Sequence, residues 1–269
     1  MAADRAVTAE GRKRRAIAHH SDRTAEFAAR YAGLALDPYA NCFVYSRHRL
    51  QAVLDRCLPE RGEGLRVLDV GCGTGHHLAD LRGRGFEVAG ADGSEEMVAR
   101  ARAGNPDVPI ERADVESLPF PSGAFDVVLC IEVLRYLQDP SGCLREMARV
   151  LRPGGISLVT ATPLLNLNGY WLANRLASTV GLPGLTSLRQ FFSTSSGLRR
   201  DFEASGFGGV RIHGVYLGPV NWVERLAPRL TPIFLRRWER LDATLADRAV
   251  LRELSNMFLV CAVREGPRD

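Results

Sequence analysis

Residues 67–75 read Val-Leu-Asp-Val-Gly-Cys-Gly-Thr-Gly, a buried strand running into a turn with glycine at every second position. No other segment restricts the fold so tightly. Glycine reaches backbone angles that a β-carbon forbids and lets the main chain approach a ligand closely. A helix is predicted to open near His76 and run to Leu81. A strand, a glycine turn and a helix in this order form the carboxyl edge of an open α/β sheet, where ligands gather beyond the strand ends.

The rest of the pattern agrees. Apolar runs at 65–70, 86–91, 125–131 and 156–161 predict buried strands, and the helical stretches between them predict a parallel sheet with crossover helices. Ser94 is placed to cap a helix whose first turn carries Glu95 and Glu96. Asp139 is placed to cap another, with Pro140 at its first position and an apolar face of Leu144, Met147 and Leu151. Beyond Thr162-Pro163 come an insertion, a helix at 195–204, a strand at 208–217, a long helical region and a last strand at 257–263. Upstream, 1–20 reads as a flexible basic leader and 21–59 as an N-terminal helical cap (Phe27, Tyr31, Leu34, then Leu50, Val53, Leu54). The ligand-binding domain is expected over 60–264, with substrate-lid insertions at 163–192 and 219–247.

Two carboxylates sharpen the ligand. The dinucleotide spacing Gly-x-Gly-x-x-Gly requires a third glycine where this chain has His76, which argues against a nicotinamide dehydrogenase. Asp92 ends the next strand, at the distance from the loop where an acidic side chain accepts ribose hydroxyls. Asp114 follows the third strand in Ala113-Asp114-Val115-Glu116, where a carboxylate can accept an adenine amino group.

With Phe125-Asp126-Val127-Val128 and Leu151-Arg152-Pro153-Gly154-Gly155, these motifs resemble the class I S-adenosylmethionine-dependent methyltransferases, especially the branch of quinone-biosynthesis and natural-product small-molecule enzymes. The resemblance is strong over roughly 60–162. It implies a Rossmann-like fold with a seven-stranded, mostly parallel sheet whose last strand is antiparallel, an N-terminal helical cap and a helical lid. It also implies S-adenosylmethionine as cofactor and S-adenosylhomocysteine as product. Asp69 and the backbone of Gly71, Cys72, Gly73 and Gly75 would hold the methionyl end, Asp92 the ribose with Gly93 beside it, Met97 one adenine face, and Asp114 with Val115 its edge. Ile131 or Glu132 would lie beneath the sulfonium; core packing is the competing reading for Met97 and Ile131. Relatives often carry Glu-His where this chain has Arg135-Tyr136, which argues against a metal-assisted catechol methylation; no metal is expected.

Methyl transfer needs chiefly an aligned nucleophile, so no obligatory catalytic residue is predicted. For an oxygen or carbon nucleophile a general base would help. The candidates are His20 in the cap and His213 on a late strand, with Tyr136 expected at the substrate pocket. Tyr31, Phe43 and Tyr45 in the cap, and Tyr170, Trp171, Phe191 and Phe192 in the insertion, would enclose a hydrophobic or aromatic acceptor or else form an auxiliary core.

Composition bounds the alternatives. The net charge is only +4, and no Asn/Asp-Pro-Pro-aromatic motif or Pro-Cys nucleophile follows the fourth strand, so a nucleic-acid substrate is not expected. A protein substrate, or a cofactor-binding protein without methyl transfer, stays open. The six cysteines form no metal or disulfide pattern, and no apolar run approaches the roughly 18 residues of a membrane span, so a reduced cytoplasmic protein is expected. In the late helix Thr231 is the expected cap, Pro232 the first residue, and Leu230, Phe234, Trp238, Leu241 and Leu245 the apolar stripe. That stripe is expected to pack on the protein's own sheet, with a membrane surface or a homodimer contact as lesser readings.

Overall fold

The structure, a computed structural model, describes residues 9–32, 37–180 and 190–266. Residues 1–8 of the expected leader, Leu34 of the cap and 181–189 of the expected lid lie outside the described residues. Three helices come first: α1 (Ala9–Ser21), α2 (Thr24–Ala32) and α3 (Cys42–Cys57). Then β1 (Arg66–Val70), α4 (His76–Gly83), β2 (Glu87–Asp92), α5 (Glu95–Gly104), β3 (Ile110–Arg112), β4 (Phe125–Cys130), α6 (Ser141–Val150) and β5 (Leu151–Ala161) alternate. The chain ends with α7 (Tyr170–Val180), α8 (Ser195–Ala204), β6 (Phe207–Gly214), α9 (Val220–Leu226), α10 (Thr231–Leu245), α11 (Ala249–Arg252) and β7 (Phe258–Arg264).

The strands form one seven-stranded sheet in the order β3-β2-β1-β4-β5-β7-β6. β7 inserts antiparallel between β5 and β6; the other pairings are parallel. This is the Rossmann-like arrangement expected. Because side chains alternate across a strand, the apolar runs split between two cores. Val67, Leu129 and Leu158 face one with Leu54 and Leu78; Leu68, Val128 and Val159 face the other with Leu144 and Met147. The chain reverses its direction of travel across the sheet between β1 and β4, and the crevice at that switch point is where an open α/β sheet takes its ligand.

Local signals placed several ends. Ser94 Oγ accepts from Met97 N at 3.1 Å, capping α5. Asp139 Oδ1 accepts from Ser141 N at 2.9 Å, and α6 begins at Ser141, one residue later than expected.

Three expectations are corrected. The leader is helical over Ala9–Ser21, burying Ala16, because partners distant in sequence answer its charge. Thr231 lies inside α10 rather than capping it: its hydroxyl donates to Ala227 O at 3.3 Å, and a short turn at Pro228–Leu230 leads in. The buried side of α10 is carried by Leu235 and Asp242, with Phe234 and Trp238 packed against the core, while Leu230 and Leu241 are exposed. Among the described residues, no helix is long and apolar enough to cross a membrane.

Candidate cofactor and acceptor site

The glycine turn has the geometry its sequence requires. Gly71, Gly73 and Gly75 have φ of 75°, 53° and 83°. A β-carbon on Gly71 would come within 2.2 Å of Val133 Cγ2, whereas one on Gly73 would meet nothing within 4 Å. Two hydrogen bonds tie the turn to β2: Gly71 N and Cys72 N donate to Ala91 O at 2.7 and 3.0 Å. Asp92 completes the hold, Oδ2 accepting from Gly73 N and Oδ1 from Ser94 N, both at 2.9 Å.

Above these strand ends lies a cavity of about 990 Å³, large enough for a nucleoside cofactor with a second small molecule beside it. Gly71, Gly73, Asp92, Gly93, Met97, Asp114, Val115 and Ile131 line it. Asp69, Cys72 and Gly75 do not: Asp69 and Cys72 are buried behind the turn, and Gly75 lines a smaller pocket at the start of α4.

Asp69 bears on whether S-adenosylmethionine suits this cradle. Its Oδ2 is buried without a hydrogen-bond partner among the described residues, and a buried acceptor is costly until a donor reaches it. An ammonium, as on the methionyl end of the cofactor, is such a donor. Burial, reinforced by the Asp92 charge, pushes the Asp69 carboxyl up to about 7. Asp92 is likewise raised by burial, against the pull of the Ser94 and Gly73 amides, and its carboxylate faces the cavity. The residues present therefore fit the cofactor.

Asp69 also makes the ligand-free protein sensitive to pH. Between the unfolded value of 3.8 and the folded value of about 7, the folded chain holds a proton that the unfolded chain has lost. Stability therefore falls as pH climbs through that window and levels off above it. Asp69→Asn lacks this loss, so its unfolding free energy relative to the wild type is expected to rise from about pH 5 to about pH 7.5. A constant gap in urea titrations would show that the carboxyl is already ionised at the lower pH.

Asp114 has a partner that the sequence did not reveal. The ammonium of Lys13, on α1, contacts Asp114 Oδ2 and lies 2.7 Å from Glu116 Oε2, with its side chain 14% exposed. Asp114 Oδ1 accepts from Glu116 N at 3.0 Å. α1 thus reaches the part of the cavity lined by Asp114, and Ile17 packs over Gly93.

At the other end, His20 Nδ1 lies 2.7 Å from Ala16 O. A carbonyl only accepts, so this nitrogen carries the proton and Nε2 carries the lone pair. The ring stands edge-on to Tyr136 at 4.7 Å and stacks on Phe27 at 5.1 Å. His20, Tyr136, Tyr31, Phe43 and Tyr170 all line the cavity. Others do not join them. His213, on β6, pairs with Asp247 at 2.8 Å and is absent from the lining, since its strand lies at the far edge of the sheet. Tyr45 is buried with its hydroxyl on Asp242, Phe191 packs on the core, and Trp171 is 39% exposed. Phe192 does not line the cavity.

Sequence reasoning missed an ionic cluster here. Glu132, two residues past the end of β4, has φ of 63°, the one positive value outside glycine among the described residues, and its N donates to Thr160 Oγ1 at 2.6 Å. Its Oε2 takes Arg135 Nη1 at 2.6 Å and stands 3.7 Å from Arg47 Nη2 on α3. Burial opposes its charge, but the two guanidiniums prevail and hold its carboxyl below the usual range. The departure at Arg135-Tyr136 was a signal for half of this cluster. Nothing in the cap sequence marked Arg47.

The chain's similarities agree with this geometry. A methyltransferase-domain family model matches residues 68–159. A ubiquinone biosynthesis O-methyltransferase of Roseobacter denitrificans is 33% identical over 181 residues, covering 65% of this chain and 73% of its own length. Among solved structures, a magnesium protoporphyrin IX methyltransferase from Synechocystis superposes with a TM-score of 0.59 at 17% identity, covering 94% of this chain and 100% of its own. A possible histamine N-methyltransferase from Thermotoga maritima does so with 0.61 at 17%, covering 92% and 99%.

Proposed function

The chain belongs to the class I S-adenosylmethionine-dependent small-molecule methyltransferases, and on that premise we propose that it methylates a hydroxyl of an aromatic acceptor, with His20 as general base. The observation that carries this reading is the His20 tautomer: Nε2 holds its lone pair in the same aromatic-walled cavity that Asp92 and the glycine turn enter. The O-methyltransferase relative supports oxygen as the accepting atom.

S-adenosylmethionine supplies a methyl group on a cationic sulfonium, open to in-line displacement. Asp92 would hold the ribose and the glycine turn the methionyl end, and alignment of the two reactants supplies much of the acceleration. Tyr31, Phe43 and Tyr170 face the acceptor and displace water. His20 Nε2 takes the hydroxyl proton while the Ala16 carbonyl steadies the resulting imidazolium through Nδ1–H. The proton leaves to solvent once product departs. In this reading α1 to α3 act as a cap, and α7 with the α9–α10 region as a lid, so substrate choice lies outside the sheet. The chemistry calls for no metal, and the free cysteines suit a reducing, cytoplasmic setting.

The test is calorimetry with S-adenosylmethionine and S-adenosylhomocysteine, then S-adenosylhomocysteine release with mono- and dihydroxy-aromatics. His20→Gln is expected to lower kcat about a hundredfold at about pH 7, with cofactor affinity unchanged. An undiminished kcat would remove His20 from the mechanism. Cofactor binding without transfer to any acceptor would favour the alternative of a binding protein that no longer transfers methyl groups.

A further inference from the structure

The acceptor end of the cavity carries more positive charge than its own carboxylates answer. Arg47 and Arg135 converge on Glu132, so two guanidiniums share one carboxylate. The Arg47 side chain is 10% exposed, and among the described residues its one acidic neighbour within ion-pair distance is Glu132, at 3.7 Å. Its Nε and Nη1 have no hydrogen-bond partner among the described residues, nor does Arg135 Nε. The Arg47 guanidinium stands over the Phe43 ring at 5.3 Å from the centroid, a cation–π contact that offers no hydrogen-bond acceptor to Nε or Nη1. Glu224, half-buried on the same cavity wall, pairs with neither arginine. Arg30, also on this wall, stands at 4.3 Å over Phe43 but is exposed, so solvent screens it.

A buried guanidinium with so few partners costs stability unless a ligand completes it. The strained backbone at Glu132 points the same way, because non-glycine residues with positive φ persist where the surroundings impose them, and they gather at ligand sites. We propose that the methyl acceptor is an anion whose carboxylate pairs with Arg47 at the Arg47–Glu132–Arg135 cluster, making Arg47 a specificity-determining residue. Within the cluster itself two guanidiniums face one carboxylate, which leaves room for one monoanion such as a carboxylate; Glu224 stands on the same wall outside the cluster. From this cluster the wall continues through Arg135, 5.8 Å from the Tyr136 ring, to His20 at 4.7 Å beyond it. A ring-bearing acid therefore fits with its carboxylate at Arg47 and a hydroxyl toward His20.

This inference rests on the methyltransferase reading, and the experiment separates the two. Wild-type protein saturated with S-adenosylhomocysteine is titrated by calorimetry with 4-hydroxycinnamate and with its neutral amide, which has nearly the same shape. The acid is expected to bind about tenfold tighter or better. Arg47→Met should abolish the preference, and Arg47→Lys should retain part of it; S-adenosylhomocysteine affinity in each variant reports the fold. Equal binding of acid and amide, binding of neither, or a preference that survives in Arg47→Met would overturn the proposal. Methyl transfer to the amide by wild-type protein would then leave the methyltransferase reading standing. Failure to bind S-adenosylhomocysteine would sink that reading instead.

Discussion

Alanine at position 92 is expected to weaken binding of S-adenosylmethionine and S-adenosylhomocysteine by about a hundredfold or more. Asp92 does two things that alanine cannot. Its carboxylate faces the cavity where ribose hydroxyls would lie, and it accepts the Gly73 and Ser94 amides, fixing the glycine turn against the start of α5. Hydrogen bonds to a charged group contribute about 1.5–3 kcal/mol each. Losing the ligand contacts and loosening the turn together therefore amount to about 3 kcal/mol or more, which is about a hundredfold in affinity. Asp92→Asn keeps one acceptor oxygen and is expected to fall between. Calorimetry with S-adenosylhomocysteine reads the effect, and the far-ultraviolet spectrum and melting curve establish that the variant is folded. Affinity within about threefold of wild type would place the ribose away from β2.

The second large effect is on stability. Asp242, on α10, is fully buried and accepts from the Tyr45 hydroxyl, from Arg49 Nε at 3.1 Å and from Leu217 N at 2.6 Å. Arg49 is itself only 4% exposed. Asp242→Ala strands a buried guanidinium, a hydroxyl and a backbone N–H together. Breaking a buried ion pair from one side costs about 3–5 kcal/mol, a large part of the roughly 5–15 kcal/mol that holds a domain together. The variant is expected to unfold at far lower urea, or to be recovered insoluble. Asp242→Leu combined with Arg49→Met removes both charges and should regain part of the loss. A change below about 1 kcal/mol in Asp242→Ala would mean that water reaches Arg49 and that α10 is not fastened to α3 through this pair.

The legible and illegible parts of the molecule divide along physical lines. β1, the glycine turn and α4 were readable because an apolar run, positive φ and helix entry are settled by neighbours a few residues apart. The placement of Asp92 followed, since the register of two adjacent parallel strands carries it to the turn. Lys13 and α1 were not readable. A run of basic residues looks solvated until Asp114 and Glu116, about a hundred residues away, are known to face it. α10 shows the same limit. Its stripe was visible, but Asp242 lies outside that stripe and becomes the anchor of a buried network only once α3 brings Arg49 and Tyr45 against it. His213 failed in the opposite sense: a histidine on a late strand was plausible for catalysis until the sheet order put that strand at the edge, beyond β7.

By itself, then, the sequence determined the α/β sheet, the cofactor class and most of the named residues that line the cavity, because those depend on local conformation and on short, regular connections. Only the tertiary structure decided which charges meet. Arg47 with Glu132 and Arg135, Lys13 with Asp114, and Asp242 with Arg49 each join elements far apart in the chain. Charge pairing acts over a few ångströms of space, and spacing along the sequence carries no record of it until helices and strands are packed.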